Sequence, residues 1–143
     1  MKLSLDDEQD LLRAIANAER GNRGEVRLHL EARCVGEPLA RARAVFSRLG
    51  MHATKDDTGV LLYVATASRV CAVYSGAGIV SKPPEGFWKS VTDAVAQGFA
   101  RGEPLRGLRD GLQRIGDMLR EHVPGDDRAG DELPNTLSVE GRR

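Results

Sequence analysis

The sequence predicts an α/β chain folded as a three-layer α/β/α sandwich, with helices covering both faces of a small mixed β-sheet. Three observations predict it. Residues 60–65 and 70–74 are short runs that are apolar on both faces, the pattern of strands buried on both sides, which helices must cover. Residues 25–32 alternate apolar and polar side chains with period two, as a further strand does. Stretches with helical spacing surround these strands, in the order helix, strand, helix, strand, strand, helix, helix.

The first helix opens at Ser4, which with Asp7 resembles a capping box, and its acidic first turn suits the helix dipole. Leu11, Leu12, Ile15 and Ala18 share one face, and Gly21-Asn22 predicts the stop. Glu19 falls in the last turn, where a carboxylate faces the negative end of the dipole, a mild misfit that singles it out. In the first strand Val26, Leu28 and Leu30 alternate with Arg27, His29 and Glu31, which predicts one wet face and a place near a sheet edge. Pro38 suits the first turn of a second helix whose stripe is Leu39, Ala42, Phe46 and Leu49, with Gly50 as its stop. A strand, a helix and a strand in succession predict a parallel, right-handed unit. Asp56-Asp57-Thr58-Gly59 leads into the second strand, and the short connection 66–69 predicts an antiparallel hairpin.

Beyond the small-residue turn Ser75-Gly76-Ala77-Gly78, residues 82–86 form a rigid linker. A third helix is expected from Phe87, with Trp88, Val91, Val95 and Phe99 toward the core, ending at Gly102. Pro104 opens a fourth, in which Leu105, Leu108, Leu112, Ile115 and Leu119 keep helical spacing up to Pro124-Gly125. Residues 1–124 are thus read as the domain and 125–143 as an acidic loop and tail, with Glu132-Leu133-Pro134 as a short element in which Leu133 packs and Pro134 fixes the loop.

Bulk composition bounds the function. A chain of 143 residues suits one domain, and 41% hydrophobic with 29% charged residues is ordinary for a globular protein. At 4% aromatic residues the core should be aliphatic and stacking platforms for bases are scarce; a formal net charge of +0 also argues against a nucleic-acid partner. Cys71 falls in a buried run and Cys34 in a loop, with no Cys/His cluster that would imply zinc or a disulfide framework. The first residues hold no hydrophobic signal core, and no apolar stretch is long enough to span a bilayer, so a cytoplasmic setting without a transmembrane segment is expected.

The motifs divide into weak and stronger. Gly76-Ala77-Gly78 lacks both the Walker spacing and the third glycine of a dinucleotide fingerprint, so it reads as a tight turn. His29, His52 and His122 are isolated in sequence; His29 is placed on the wet strand face, and surface positions are expected. Carboxylates are the stronger candidates. Glu19 and Glu25 flank the turn into the sheet, Asp56 and Asp57 precede the second strand, and Asp126, Asp127, Asp131 and Glu132 cluster near the end. Hard divalent cations take several oxygens from such loops, although the EF-hand ladder is missing and a solvated acidic loop is the competing reading.

Four pieces, in order along nearly the whole chain, resemble the TPM-domain family, which includes thylakoid-lumen acid-phosphatase-like proteins and many bacterial proteins. They are Ala18-Glu19 with Gly24-Glu25-Val26-Arg27; the segment AVFSRLGMHAT at 44–54; the strand 58–65 with the turn 75–79; and Asp131-Glu132-Leu133-Pro134-Asn135. Trp88 matches a tryptophan that opens the helix after the turn. The resemblance implies the same α/β/α sandwich and a carboxylate site at the strand ends. Some members bind calcium or magnesium there, and some plant members show acid phosphatase activity.

Two positions depart from the pattern. The family's turn aspartate falls on Gly76, and its asparagine before the strand glycine falls on Thr58. The residues left for a cation site are Glu19, Glu25, Asp131 and Glu132, with Asp127 as an auxiliary, and each lost oxygen weakens Ca2+ or Mg2+ binding. The expected function is a non-catalytic module that engages a protein partner and carries a weakened cation site. The alternative is a metal-dependent, acid-phosphatase-like hydrolase of phosphomonoesters, with Glu19 and Glu132 as ligands and Asp131 as a base.

Overall fold

The computed structural model describes residues 1–125 and 137–140. Along the chain run α1 (Leu5–Glu19), β1 (Glu25–Glu31), α2 (Pro38–Arg48), β2 (Gly59–Ala65), β3 (Val70–Ser75), α3 (Phe87–Ala100), α4 (Pro104–His122) and β4 (Leu137–Val139), with two 3-10 turns at Met51–Ala53 and Lys55–Asp57. The strands form one mixed sheet in the order β3-β2-β1-β4. β1 is parallel to β2, from Glu25 opposite Gly59 to Glu31 opposite Ala65, and parallel to β4, with His29 opposite Ser138. β2 and β3 form the antiparallel hairpin.

Helices lie on both faces, as the two-sided apolar runs require. On one face Leu11 and Ile15 of α1, Val91 and Val95 of α3, and Leu108, Leu112 and Ile115 of α4 pack on Val26, Leu28, Leu30, Val60, Leu62 and Val64. On the other, Ala42, Val45 and Phe46 of α2, with Met51, cover Leu61, Tyr63 and Ala65. The two helices α3 and α4 come close through glycine: a Cβ on Gly98 would lie 2.4 Å from the Gly107 Cα. Among the described residues no helix is long and apolar enough to cross a membrane.

Local signals account for most boundaries. Ser4 and Asp7 exchange their side-chain and backbone bonds at 3.0 Å each, completing the capping box. Pro38 and Pro104 open their helices in the first turn. α1 stops at Glu19, short of Gly21-Asn22, and Leu12 is 40% exposed, so the buried stripe narrows to Leu11, Ile15 and Ala18. In α2 the stripe shifts likewise: Leu39 is exposed and Val45 is buried in its place.

Two expectations are corrected by tertiary structure. Alternation in β1 predicts a wet face near an edge; instead β1 lies inside the sheet and all seven residues are buried. The reason is that β4 covers its second edge, and on its polar face His29 and Glu31 bond to Ser138 of β4, Tyr63 of β2 and the Arg41 side chain reaching over from α2. His29, expected at the surface, is wholly buried. The second correction is β4 itself, in a stretch that reads as polar loop or tail. Leu137 and Val139 face the main core, and three residues are too few to show a period in the sequence.

Candidate functional site

The N-terminal ends of β1 and β2 gather four of the carboxylates. Glu19, misfitted to the end of its helix, turns its Oε2 to accept the Val26 N–H at 2.8 Å, so the last residue of α1 fastens the start of β1. Glu25 is buried at the first position of β1, and its N–H donates to the Thr58 carbonyl at 3.2 Å. Arg23 reaches Asp56 at 3.1 Å. Asp56 and Asp57 both take positive φ, 67° and 51°, conformations that aspartate adopts more readily than most side chains. Near these groups lies the buried Arg27 guanidinium. Burial lowers its pKa, and the charges of Glu25 and Glu19 oppose that shift.

The turn at Gly76 has its own logic. A Cβ there would stand 2.3 Å from both the carbonyl oxygen and Oδ1 of Asp57. Asp57 Oδ2 accepts the Ala77 N–H at 2.9 Å. The Asp57 carboxylate thus fills the space that a side chain at position 76 would take. The oxygen lost at the turn has a neighbour in its place, delivered from the preceding loop. His52 Nδ1 lies 3.8 Å from Asp57 Oδ1.

Asp127, Asp131 and Glu132 lie outside the described residues, so of the five expected ligands only Glu19 and Glu25 are described. The flanks of that segment are described. Pro124 bridges Asn22, the Gly125 N–H donates to the Gly21 carbonyl at 3.2 Å, and on the far side Leu137 pairs opposite Leu28.

A second polar cluster lies on the α2 face of β1. Glu31 accepts from Arg41 Nε at 3.0 Å and from the other Arg41 nitrogen at 2.8 Å, from the Tyr63 hydroxyl, and from His29 Nε2 at 3.3 Å. His29 Nδ1 lies 2.6 Å from Ser138 Oγ on β4. Glu140, just past β4, pairs with Arg41 and Arg48. Burial alone would raise the Glu31 carboxyl, but the bonds from Arg41, Tyr63 and His29 outweigh it and hold the group down at about 2. Burial lowers the His29 pKa, against the Glu31 bond. Arg41 is raised by its bond to Glu31, and Tyr63 is raised first by burial and then by the same carboxylate.

His29, Glu31 and Glu140 could in principle hold a metal, since one ligand atom of each lies within 4.8 Å of the others. The donor set argues for an ion-pair network instead. Both carboxylates already carry guanidinium partners, and an incoming cation would have to displace Arg41 and Arg48. Arg41, Tyr63, Ser138 and Glu140 are members the sequence alone does not bring together. The only signal is the alternation of β1 itself.

The sequence pattern of the TPM domain matches residues 2–118. The chain belongs to the TPM-domain family. Among solved structures this TPM domain is similar to the BA42 protein of the psychrophilic bacterium Bizionia argentinensis, with 35% identity over 96% of this chain and 95% of that one and a TM-score of 0.85. It shares the fold with the N-terminal domain of a P. gingivalis protein, at 19% identity over 86% and 82% of the two chains and a TM-score of 0.70. It also shares the fold with the N-terminal domain of the cg2496 protein of Corynebacterium glutamicum, at 11% identity over 82% and 74% and a TM-score of 0.64. No curated protein matches the TPM domain described above.

Proposed function

We propose that this TPM domain is a non-catalytic protein-interaction module whose binding face is the acidic end of β1 and β2, organised by a weakly held Ca2+ or Mg2+. Glu19 from the end of α1 and Glu25 from the start of β1 would be ligands, with Asp127, Asp131 and Glu132 contributed by the segment between the two described flanks. The observation that carries the reading is the anchoring of those flanks. Val123, Pro124 and Gly125 bond to Gly21, Asn22 and Arg23, and Leu137 pairs beside Leu28, so the acidic segment leaves and rejoins the fold next to Glu19 and Glu25. Loop oxygens held by a rigid scaffold suit a hard cation. Asp57, filling the place of a side chain at Gly76, is a further oxygen source at this end.

The test is a calcium and magnesium titration followed by amide NMR. Shifts confined to the surroundings of Glu19, Glu25, Gly76 and residues 126–136 support the cation site. Spectra unchanged at millimolar metal, a concentration typical of weak extracellular-type calcium sites at about 10⁻⁴–10⁻³ M, remove it. A second reading, metal-dependent hydrolysis of phosphomonoesters, draws on the buried Arg27 charge beside Glu25 and Glu19, which could face a phosphate held on the cation. Its test is activity that disappears in Glu19→Ala and Glu132→Ala; activity unchanged by both substitutions belongs to a contaminant.

A further inference from the structure

We infer that Ser138 is an activated nucleophile for small carboxylic esters, with His29 as its general base and Glu31 as the residue that positions the imidazole. This site lies on the α2 face of the sheet and stands independently of the cation reading.

The geometry assigns the proton positions. An ionised carboxylate only accepts hydrogen bonds, so the contact of 3.3 Å between His29 Nε2 and Glu31 Oε1 places the ring hydrogen on Nε2. Nδ1 then carries a lone pair, and at 2.6 Å it accepts the Ser138 hydroxyl proton. Nucleophile, base and carboxylate stand in the order that acyl-transfer sites use on unrelated folds. Glu31 is held in place by both Arg41 donors and by the Tyr63 hydroxyl, which fixes the imidazole in turn. Complete burial of His29 favours the neutral ring that a base requires.

Access and charge stabilisation come from the edge position. β4 is the terminal strand of the described sheet, and Ser138 is only half-buried. The Glu140 N–H donates inward to the Leu30 carbonyl at 2.7 Å, so the alternation of a parallel ladder turns the Val139 N–H outward. A backbone N–H one residue past the nucleophile is a common oxyanion donor. A cavity of about 480 Å³ opens near the C-terminal ends of β1 and β4, with Leu30, Glu31, Val139 and Glu140 in its wall; Ser138 and His29 do not line it, so the ester would reach Ser138 from the open edge of β4.

In the reaction the Ser138 oxygen bonds to the ester carbonyl carbon while its proton moves to His29 Nδ1. The carbon–oxygen bond to the alcohol breaks, and the imidazolium returns the proton to the departing alkoxide. Water then attacks the acyl-serine, His29 takes the water proton and passes it to Ser138, and the carboxylic acid leaves.

The experiment is incubation of the full chain with a fluorophosphonate probe and, separately, p-nitrophenyl acetate and butyrate, with the labelled residue located by mass spectrometry. Expected are one label per chain at Ser138, none in Ser138→Ala, and a rate at least 10-fold lower in His29→Gln, since a general base contributes about 10²–10⁴-fold. Amide NMR of each variant confirms that it is folded. Glu31→Gln should move the onset of labelling to lower pH, because the Glu31 charge raises the His29 pKa; a glutamate with only a structural role would leave the profile in place. Folded wild-type protein that reacts no faster than a free serine amide overturns the inference. So does labelling that persists in Ser138→Ala. Either result leaves the Ser138–His29 bond as a fastening for β4 alone.

Discussion

On one face of β1, Val26, Leu28 and Leu30 meet three helices in an aliphatic core. On the other, Arg27, His29 and Glu31 are equally buried, and His29 and Glu31 are held there by hydrogen bonds and paired charges. The two faces differ in what they tolerate. An apolar face loses contact area gradually and is indifferent to pH. A buried polar face must stay complete, because any member left alone keeps its desolvation penalty. The polar face also has an output that the apolar one lacks: it reaches across the sheet edge and holds Ser138 and Glu140.

The comparison can be broken or sharpened by substitution. Leu28→Ala should cost about 2–5 kcal/mol, the range for a fully buried leucine, read as a lower urea midpoint at unchanged slope. Glu31→Ala should approach it, at about 3 kcal/mol. Removing one partner of a buried ion pair is strongly destabilising, but Arg41, 26% exposed, can turn to water. A cost near zero would show that the polar face is ornamental. Gly76→Ala, at the N-terminal end of the same sheet, should cost about 1–3 kcal/mol, because its new Cβ meets the Asp57 carbonyl and carboxylate at 2.3 Å. Ser138→Ala should be the mildest, at about 0.5–1.5 kcal/mol for one hydrogen bond, with faster amide exchange confined to β4.

Acid separates the two faces without mutation. Glu31 is depressed from 4.5 to about 2 in the folded chain, so its contribution is fully present above the unfolded value and is lost as pH falls through about 2. Urea midpoints of the wild type should therefore drop across that window more steeply than those of Glu31→Gln. The Leu28→Ala variant should fall in parallel with the wild type. Parallel curves for all three proteins would mean that Glu31 is not the carboxylate that matters.

Much of this was legible in the residues. The run at 60–65 announces a buried strand, the run at 70–74 announces a strand that proves to be half-buried at the sheet edge, and the stripe from Leu105 to Leu119 announces α4, because each pattern repeats over enough residues to stand out. Glu19 is legible as a misfit, and its bond to the Val26 N–H is the answer. What stayed hidden is of another kind. The alternation of β1 has two physical solutions, water on the polar face or a partner layer, and the choice depends on Arg41, Tyr63 and Ser138, which lie 10, 32 and 107 positions from Glu31. Asp57 standing in the space beside Gly76 is likewise invisible in sequence, since 19 residues separate two groups that meet only when β2 and β3 pair.

By itself, then, the order of the residues determined the α/β/α layering, the strand and helix sites, the caps and the family, because periodicity and capping act within a few turns of chain. Only the tertiary structure decided that the polar side of β1 is interior, that a three-residue strand closes the sheet beside it, and that His29 sits between a serine and a carboxylate. Those outcomes depend on which distant groups share one space, and there a buried charge persists only where the fold supplies its partner.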